Sequence, residues 1–271
     1  MLSADDRLLL AAGVRFEDGT LADAVRGSGW PLNATGCFVL ERAGIELGEI
    51  AIEVAAAFAL PLERARSDVL AFAWQLNRLT LANIERRRGR LGHVLVWITL
   101  ALRLLPAGAL PPPTACRRPL DTHTTVNAVV SVVAAVWARS LAVAVVTAAA
   151  VLQFGALAGR LALVPALAGG IAAGAGVALH EAAHATALRG VPSALVVQGR
   201  RTFVLHAPTG AARRALVALA GPATVCSVGI VLMVGATAAV SPALALAGGM
   251  LCAHAAGLSL LGPDGRSACG L

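Results

Sequence analysis

Hydrophobic and polar residues alternate differently in the two halves of the chain. Up to about residue 121, short apolar segments are separated by charged residues and turn signals, which is typical of a small α+β domain. From Thr122 onward, runs of about 20 uncharged residues follow one another. The pattern predicts a multi-domain protein with an α+β domain at 1–85, a basic, proline-rich linker carrying an interfacial helix at 86–121, and an all-α polytopic membrane domain at 122–271.

The first segments predict a β-hairpin. Residues 8–16 and 20–26 carry apolar positions on both sides of a Glu-Asp-Gly sequence, which places Gly19 in the turn. A third short strand is expected to run into Trp-Pro-Leu-Asn at residues 30–33.

Three helices are predicted after these strands. Asn33 is a suitable N-cap for residues 34–44, and a second helix around Ile50 and Val54 is stopped by Pro61. In the third, residues spaced at helical intervals form one apolar face: Val69, Leu70, Ala73, Leu76 and Leu79.

The membrane domain is predicted to contain four spans, at about 140–159, 161–188, 215–240 and 243–261. Two other apolar segments, 91–105 and 126–137, are short or interrupted by charge. They are interpreted as interfacial helices.

The charge distribution favours a membrane protein with a cytoplasmic N-terminal domain. All 22 basic residues are arginine, the net charge is +7, and only two of the 15 acidic residues follow residue 121. The arginines lie mostly between apolar runs, and five of them occur in the acid-free loop 189–214, which places this loop in the cytoplasm. We therefore expect a multi-pass protein of the cell membrane that binds the lipid bilayer and no nucleic acid.

The most specific motif is His-Glu-Ala-Ala-His at residues 180–184. Histidines four residues apart lie on one face of a helix, where both can bind one zinc ion, while Glu181 can deprotonate the attacking water. The alternative is a polar helix interface in which His180, His184 and Glu181 serve only packing. Ionisable residues in a membrane span favour the functional interpretation.

Zinc in a catalytic site needs a third protein ligand. The later residues that can bind zinc are His206, His254, Asp264 and the cysteines, and Asp264 is the only acid besides Glu181 in this half of the chain. Asp264 lies in a Gly-Pro-Asp-Gly sequence that must interrupt a helix. The alternative is an ordinary β-turn at the membrane edge.

The membrane half resembles the site-2 protease family of intramembrane zinc metalloproteases. The matching residues are His180, Glu181 and His184, then Ala-Gly-Pro at 220–222, then Asp264 followed by glycine. The resemblance implies His180, His184 and Asp264 as zinc ligands and Glu181 as the general base. Gly221 and Pro222 are then expected near the site.

Two positions depart from this family. It commonly has asparagines where this chain has Val225 and Ala256, and these residues are thought to help hold the extended substrate. His254 lies close to the second position and either substitutes for it or faces the helix bundle.

The N-terminal residues 15–27, 29–43 and 47–76 resemble the PqqD-like fold, a winged-helix-like chaperone that binds leader sequences of ribosomally made peptides. The resemblance implies that a leader peptide is bound as an added β-strand. The alternative is a winged helix that serves dimerisation or DNA binding.

Together the motif and the two resemblances imply a zinc-dependent intramembrane endopeptidase. Its substrate is expected to be a peptide precursor, or a membrane-associated substrate, that the N-terminal domain recruits in ribosomal peptide natural product maturation. An alternative is a non-hydrolytic membrane protein that binds leader peptides and couples them to a maturation enzyme or exporter. Another is a protease that acts on membrane proteins.

Overall fold

A computed structural model of the chain describes residues 2–86, 114–157, 163–198 and 201–253. These residues divide into two compact units. The first contains a small sheet-bearing N-terminal region, and the second contains long apolar helices. A sheet-containing N-terminal part followed by a helical part agrees with the predicted order.

The first unit begins with short antiparallel strands. β1 (Arg7–Leu10) pairs with β5 (Ala82–Glu85), whereas β2 (Val14–Glu17), β3 (Thr20–Asp23) and β4 (Ser28–Pro31) form a three-stranded meander. Asp18 and Gly19 join β2 to β3 with φ angles of 49° and 72°. Positive φ at both central residues is the requirement of a type I′ hairpin turn, so the predicted turn at Gly19 and the third strand are confirmed. The predicted first arm, 8–16, is instead divided into β1, which pairs with β5, and β2.

Three helices pack on these strands: α1 (Ala34–Glu41), α2 (Leu47–Ala57) and α3 (Leu62–Arg78). The Asn33 side chain accepts a hydrogen bond of 2.8 Å from the backbone N–H of Gly36, which confirms the predicted cap. The core contains Leu8, Ile50, Val54, Val69 and Ala73. Leu79 was predicted on the buried face but is 48% exposed, because α3 ends at Arg78 and Leu79 is its C-cap.

A second three-stranded sheet joins distant parts of the chain. β6 (Ala115–Pro119), β7 (Ser193–Gln198) and β8 (Arg201–His206) pair antiparallel in that order and belong to the first unit. The division therefore differs from the predicted one, since β6 falls in the predicted linker and the β7–β8 hairpin in the predicted membrane domain.

Side-chain amides and a buried ion pair hold β6 against the N-terminal region. Asn77 bonds both the N–H and the C=O of Ala115 at 2.9 and 2.8 Å, and Asn83 bonds the same two groups of Arg117 at 2.7 and 2.8 Å. The Arg117 guanidinium donates two 2.7 Å hydrogen bonds to the Asp23 carboxylate, and both side chains are fully buried. Such bidentate pairs are among the stronger hydrogen bonds in proteins.

The second unit contains four described helices. α4 (Thr125–Leu157), α5 (Leu163–Ala187) and α6 (Ala211–Ala239) are long and apolar enough to cross a membrane, and α7 (Pro242–Cys252) is shorter. The predicted interfacial helix at 126–137 is instead the first part of α4. The apolar segment 91–105 and the end of the predicted fourth span lie outside the described residues.

α4 and α5 are antiparallel and approach each other at two glycines of α5. A Cβ built on Gly170 would lie 2.5 Å from the carbonyl oxygen of Ala144, and one on Gly174 would overlap the carbonyl oxygen of Ser140. Glycines four residues apart lie on one helix face and allow two backbones to touch. This contact determines the register of α4 and α5, and therefore which residues of α4 lie beside the C-terminal part of α5.

Candidate metal centre

The last two turns of α5 carry the His-Glu-x-x-His motif. Glu181 and His184 are buried, with 7% and 8% of their surface exposed, and His180 is half-buried. The helix continues through all three residues because nothing in this segment breaks it before Gly190, where φ is +74°. The predicted helical placement of the motif is confirmed.

The two histidines face each other through the ring nitrogens that commonly bind metals. Their Nε2 atoms are 3.1 Å apart, and the ring planes meet at 82°. Two nitrogens bound tetrahedrally to one zinc at 2.0–2.1 Å lie about 3.3 Å apart. The observed separation therefore suits a shared metal ion, and it also suits a hydrogen bond between the two rings.

A backbone carbonyl of α6 orients the second histidine. The Nδ1 of His184 lies 2.5 Å from the Val217 carbonyl oxygen, which can only accept, so we assign the proton to Nδ1. Nε2 then carries a lone pair and is directed toward His180. Metal-binding histidines are commonly held in this way, with the second ring nitrogen donating to a carbonyl.

Gly221 of α6 lies directly against both imidazoles. A Cβ built at this position would be 2.5 Å from the His184 Nε2 and 2.9 Å from the His180 Nε2. Pro222 follows inside the helix and, having no N–H, donates no hydrogen bond to the Ala218 carbonyl. The structure thus brings Gly221 to the histidine pair, with Pro222 as its neighbour in the chain.

The donor set fits a zinc ion in part. Two imidazole nitrogens converge, and Glu181 is adjacent on the same helix. Gly221 lies so close to both rings that a side chain at this position would overlap them. Among the described residues, no group of three potential metal-binding side chains converges. Asp264 and His254, two of the candidates named from the sequence, lie outside the described residues.

His206 was another possible third ligand. It ends β8 in the first compact unit, where its Nδ1 lies 2.7 Å from the carbonyl oxygen of Ala207. This local contact accounts for one of its two ring nitrogens.

Arg139 is a residue near the motif that the sequence interpretation did not include. It lies in α4, is half-buried, and is close enough to Glu181 for their charges to interact. It was treated as the border of a span. The signal that identifies it is that α4 has 33 residues and Arg139 is its only charged one.

Val225 occupies one of the positions where the resembled family has asparagine. Its side chain is fully buried and packs with Ala172, Ala247 and Leu251. An apolar residue in this cluster offers no hydrogen bond to a substrate. The second such position, Ala256, lies outside the described residues.

Comparison of the chain with protein-family models, with curated proteins and with solved structures gave no match.

Proposed function

We propose that this protein is a zinc-dependent intramembrane endopeptidase of the site-2 protease type, with an N-terminal PqqD-like domain that recruits the peptide to be cleaved. The observation that carries the proposal is the buried histidine pair of α5, with its Nε2 atoms 3.1 Å apart against Gly221. Asp264 remains the proposed third ligand on the basis of the sequence motif.

The site offers zinc two imidazole nitrogens. The Val217 carbonyl holds the His184 proton on Nδ1, so Nε2 is available without loss of a proton. A zinc ion held by His180 and His184 would supply an electrophile that polarises the scissile carbonyl.

Glu181 is the proposed general base and acid. Its carboxylate would accept a proton from the attacking water and pass it to the nitrogen of the leaving amine. Because Glu181 is one residue from His180 and buried, it is positioned beside the ligand pair and shielded from bulk water. The hydrolysis then consumes one water and leaves a new carboxylate and a new amine.

The edge of the β2–β3–β4 sheet supports peptide recruitment. All four residues of β4 are exposed, and among the described strands only β3 pairs with β4. The N–H of Leu32 bonds the Gly19 carbonyl. Along β4, backbone N–H groups point alternately toward β3 and away from it, so the N–H of Gly29, three residues before Leu32, points away from β3. Pro31, the next outward position, has no N–H.

Recruitment by the N-terminal domain would raise the peptide concentration near the membrane site. A peptide bound to one part of a chain reaches another part at an effective concentration set by the connecting segment, without any new contact at the reacting groups. We therefore propose a leader-bearing peptide precursor as the substrate class, acting in ribosomal peptide natural product maturation.

Glu181→Gln tests the hydrolytic function. The protein would be reconstituted with zinc in lipid nanodiscs and assayed with a library of quenched fluorogenic peptides. We expect wild type to cleave a subset of the library and the variant to lose cleavage by at least about 100-fold while keeping its zinc, because the amide cannot take the proton. Unchanged cleavage in the variant contradicts the proposal, and zinc binding without any cleavage by wild type favours the non-hydrolytic alternative.

Gly29→Pro tests recruitment at the β4 edge, with Gly29→Ala as the matched control. Proline removes the outward N–H, whereas alanine keeps it and also adds a Cβ. We expect the proline variant to bind library peptides about 10-fold more weakly and the alanine variant to bind like wild type, measured by fluorescence anisotropy. Equal binding by all three proteins excludes strand addition at this edge.

A further inference from the structure

Arg139 lies in an unfavourable place for a charged side chain. α4 runs for 33 residues from Thr125 to Leu157, and Arg139 is near its middle with uncharged neighbours on both sides. Moving an arginine into the centre of a membrane helix is costly, so such residues almost always face other protein groups or a wet cavity. The positive charge of Arg139 therefore needs a compensating group nearby.

The α4–α5 contact places Glu181 on the face of α5 that meets α4. Gly174 touches the backbone of α4 at Ser140, the residue that follows Arg139. Glu181 is seven residues beyond Gly174, which is about 20° short of two full turns, so both lie on the same face of α5. Glu181 is buried on that face, with 7% of its surface exposed.

The directions of the side chains bring the two charges together. Side chains on a helix lean toward its N-terminus. Because α4 and α5 are antiparallel, Arg139 leans toward the level of Glu181 and Glu181 leans back toward the level of Arg139. The two charges are close enough to interact electrostatically.

We infer that Arg139 is the counter-ion of Glu181 and a positioning residue of the candidate metal centre: across the glycine contact of α4 and α5, its guanidinium holds the Glu181 carboxylate in place beside the histidine pair. A carboxylate in an apolar helix bundle needs a compensating positive charge. Val225 of α6 stands where the resembled family commonly has asparagine, and it is apolar. The polar group beside the motif in this chain is Arg139 of α4.

A double-mutant cycle on zinc-free, full-length protein in bicelles tests the pairing. We expect Arg139→Met to lower the Tm by about 5–10 °C, because it leaves a buried carboxylate without its counter-ion. In a Glu181→Gln background the same substitution should lower the Tm by less than half as much. Arg214→Met, at an exposed position of α6, serves as the matched control and should change the Tm equally in both backgrounds.

Each outcome of this cycle decides the pairing. Equal losses of Tm for Arg139→Met in both backgrounds would overturn it. If Arg139→Met does not fold, recovery of folding on adding Glu181→Gln supports the pairing, and failure of the double variant contradicts it.

The positioning role rests on the proposed function and has its own measurement. With the library peptide that wild type cleaves fastest, Arg139→Met should lower kcat about 100-fold with KM and zinc content unchanged, since displacing a reacting group by about 1 Å costs that much. Arg139→Lys should recover part of the loss because it restores the charge. If kcat is unchanged while the stability coupling is present, the positioning role is refuted. If wild type cleaves nothing, the proposed function fails and the stability cycle still judges the pairing.

Discussion

Gly221→Ala is the sharpest perturbation of the histidine pair that the structure offers. The added methyl group would lie 2.5 Å from the His184 Nε2, whereas ordinary contacts begin near 3.4 Å. The imidazole or α6 must therefore shift by about 0.9 Å. Metal–ligand distances in real sites vary by only about 0.2 Å, so a displacement of this size at the imidazole would weaken binding by both histidines.

The magnitude follows from this geometry. Changing a residue that merely orients a ligand commonly costs about 10- to 100-fold in metal affinity, and we expect Gly221→Ala to cost about 100-fold or more because it displaces the ligand itself. Overpacking costs about 1–3 kcal/mol. Alanine in place of glycine in a helix increases the free energy of unfolding by up to about 1 kcal/mol. The loss of global stability should thus remain near or below about 2 kcal/mol.

The assay is a competition titration of zinc between a chromophoric chelator and the purified protein in detergent. Gly235→Ala is the matched control, since it makes the same change in the same helix at a position where the new methyl group meets no atom within 4 Å. We expect the control to bind zinc like wild type. If Gly221→Ala also binds zinc with wild-type affinity, the histidine pair facing Gly221 is not the metal site.

Two further predictions concern the first unit. Arg117→Met should destabilise this unit by about 3 kcal/mol, because it removes the main partner of the buried Asp23 carboxylate. Arg64→Met, which removes one side of an exposed ion pair, should cost less than about 0.5 kcal/mol. Hydrogen exchange of the α2 and α3 amides in the full-length protein measures both effects. Burial alone would raise the pKa of Asp23, but hydrogen bonding and charge from Arg117, with the backbone N–H groups of Arg26 and Val25, hold this pKa below its ordinary value. Because the pKa of Asp23 is lowered in the folded state, its ionised carboxylate stabilises the fold fully above the unfolded pKa of about 3.9, and this stabilisation is lost as the pH falls below that value. Hydrogen-exchange protection of the α2 and α3 amides should therefore decrease below about pH 4 in wild type, and decrease less in Asp23→Asn.

Local signals in the sequence were sufficient for much of the first unit and for the motif. The Asp18–Gly19 turn, the Asn33 cap and the helical placement of His180 and His184 each depend on residues a few positions apart, and all three are confirmed. Such features are read reliably because the chemistry that fixes them is local.

The features that sequence reasoning missed depend on distant partners. β6 is held by Asn77 and Asn83, more than 30 positions earlier in the chain, and no pattern within β6 shows this. The β7–β8 hairpin was interpreted as a basic loop, although its valine, leucine and phenylalanine content favours strands. Arg139 was interpreted as the border of a span, because the sequence alone does not show that α5 packs beside this part of α4.

The β6–β7–β8 sheet determines the order in which the chain can complete its first unit during synthesis. β6 is made before α4 and α5, whereas β7, which pairs with β6, and β8, which pairs with β7, follow both helices. Asn77, Asn83 and Asp23 can bind β6 as soon as it emerges, but β6 has no strand to pair with until β7 has been made, and the sheet is complete only after β8. A fragment that stops after Pro119 therefore carries the amide clamps and the ion pair together with an unpaired strand edge, which is a template for pairing with another copy. Fragments intended to isolate the N-terminal unit need the hairpin supplied in trans or joined to β6 by a short linker.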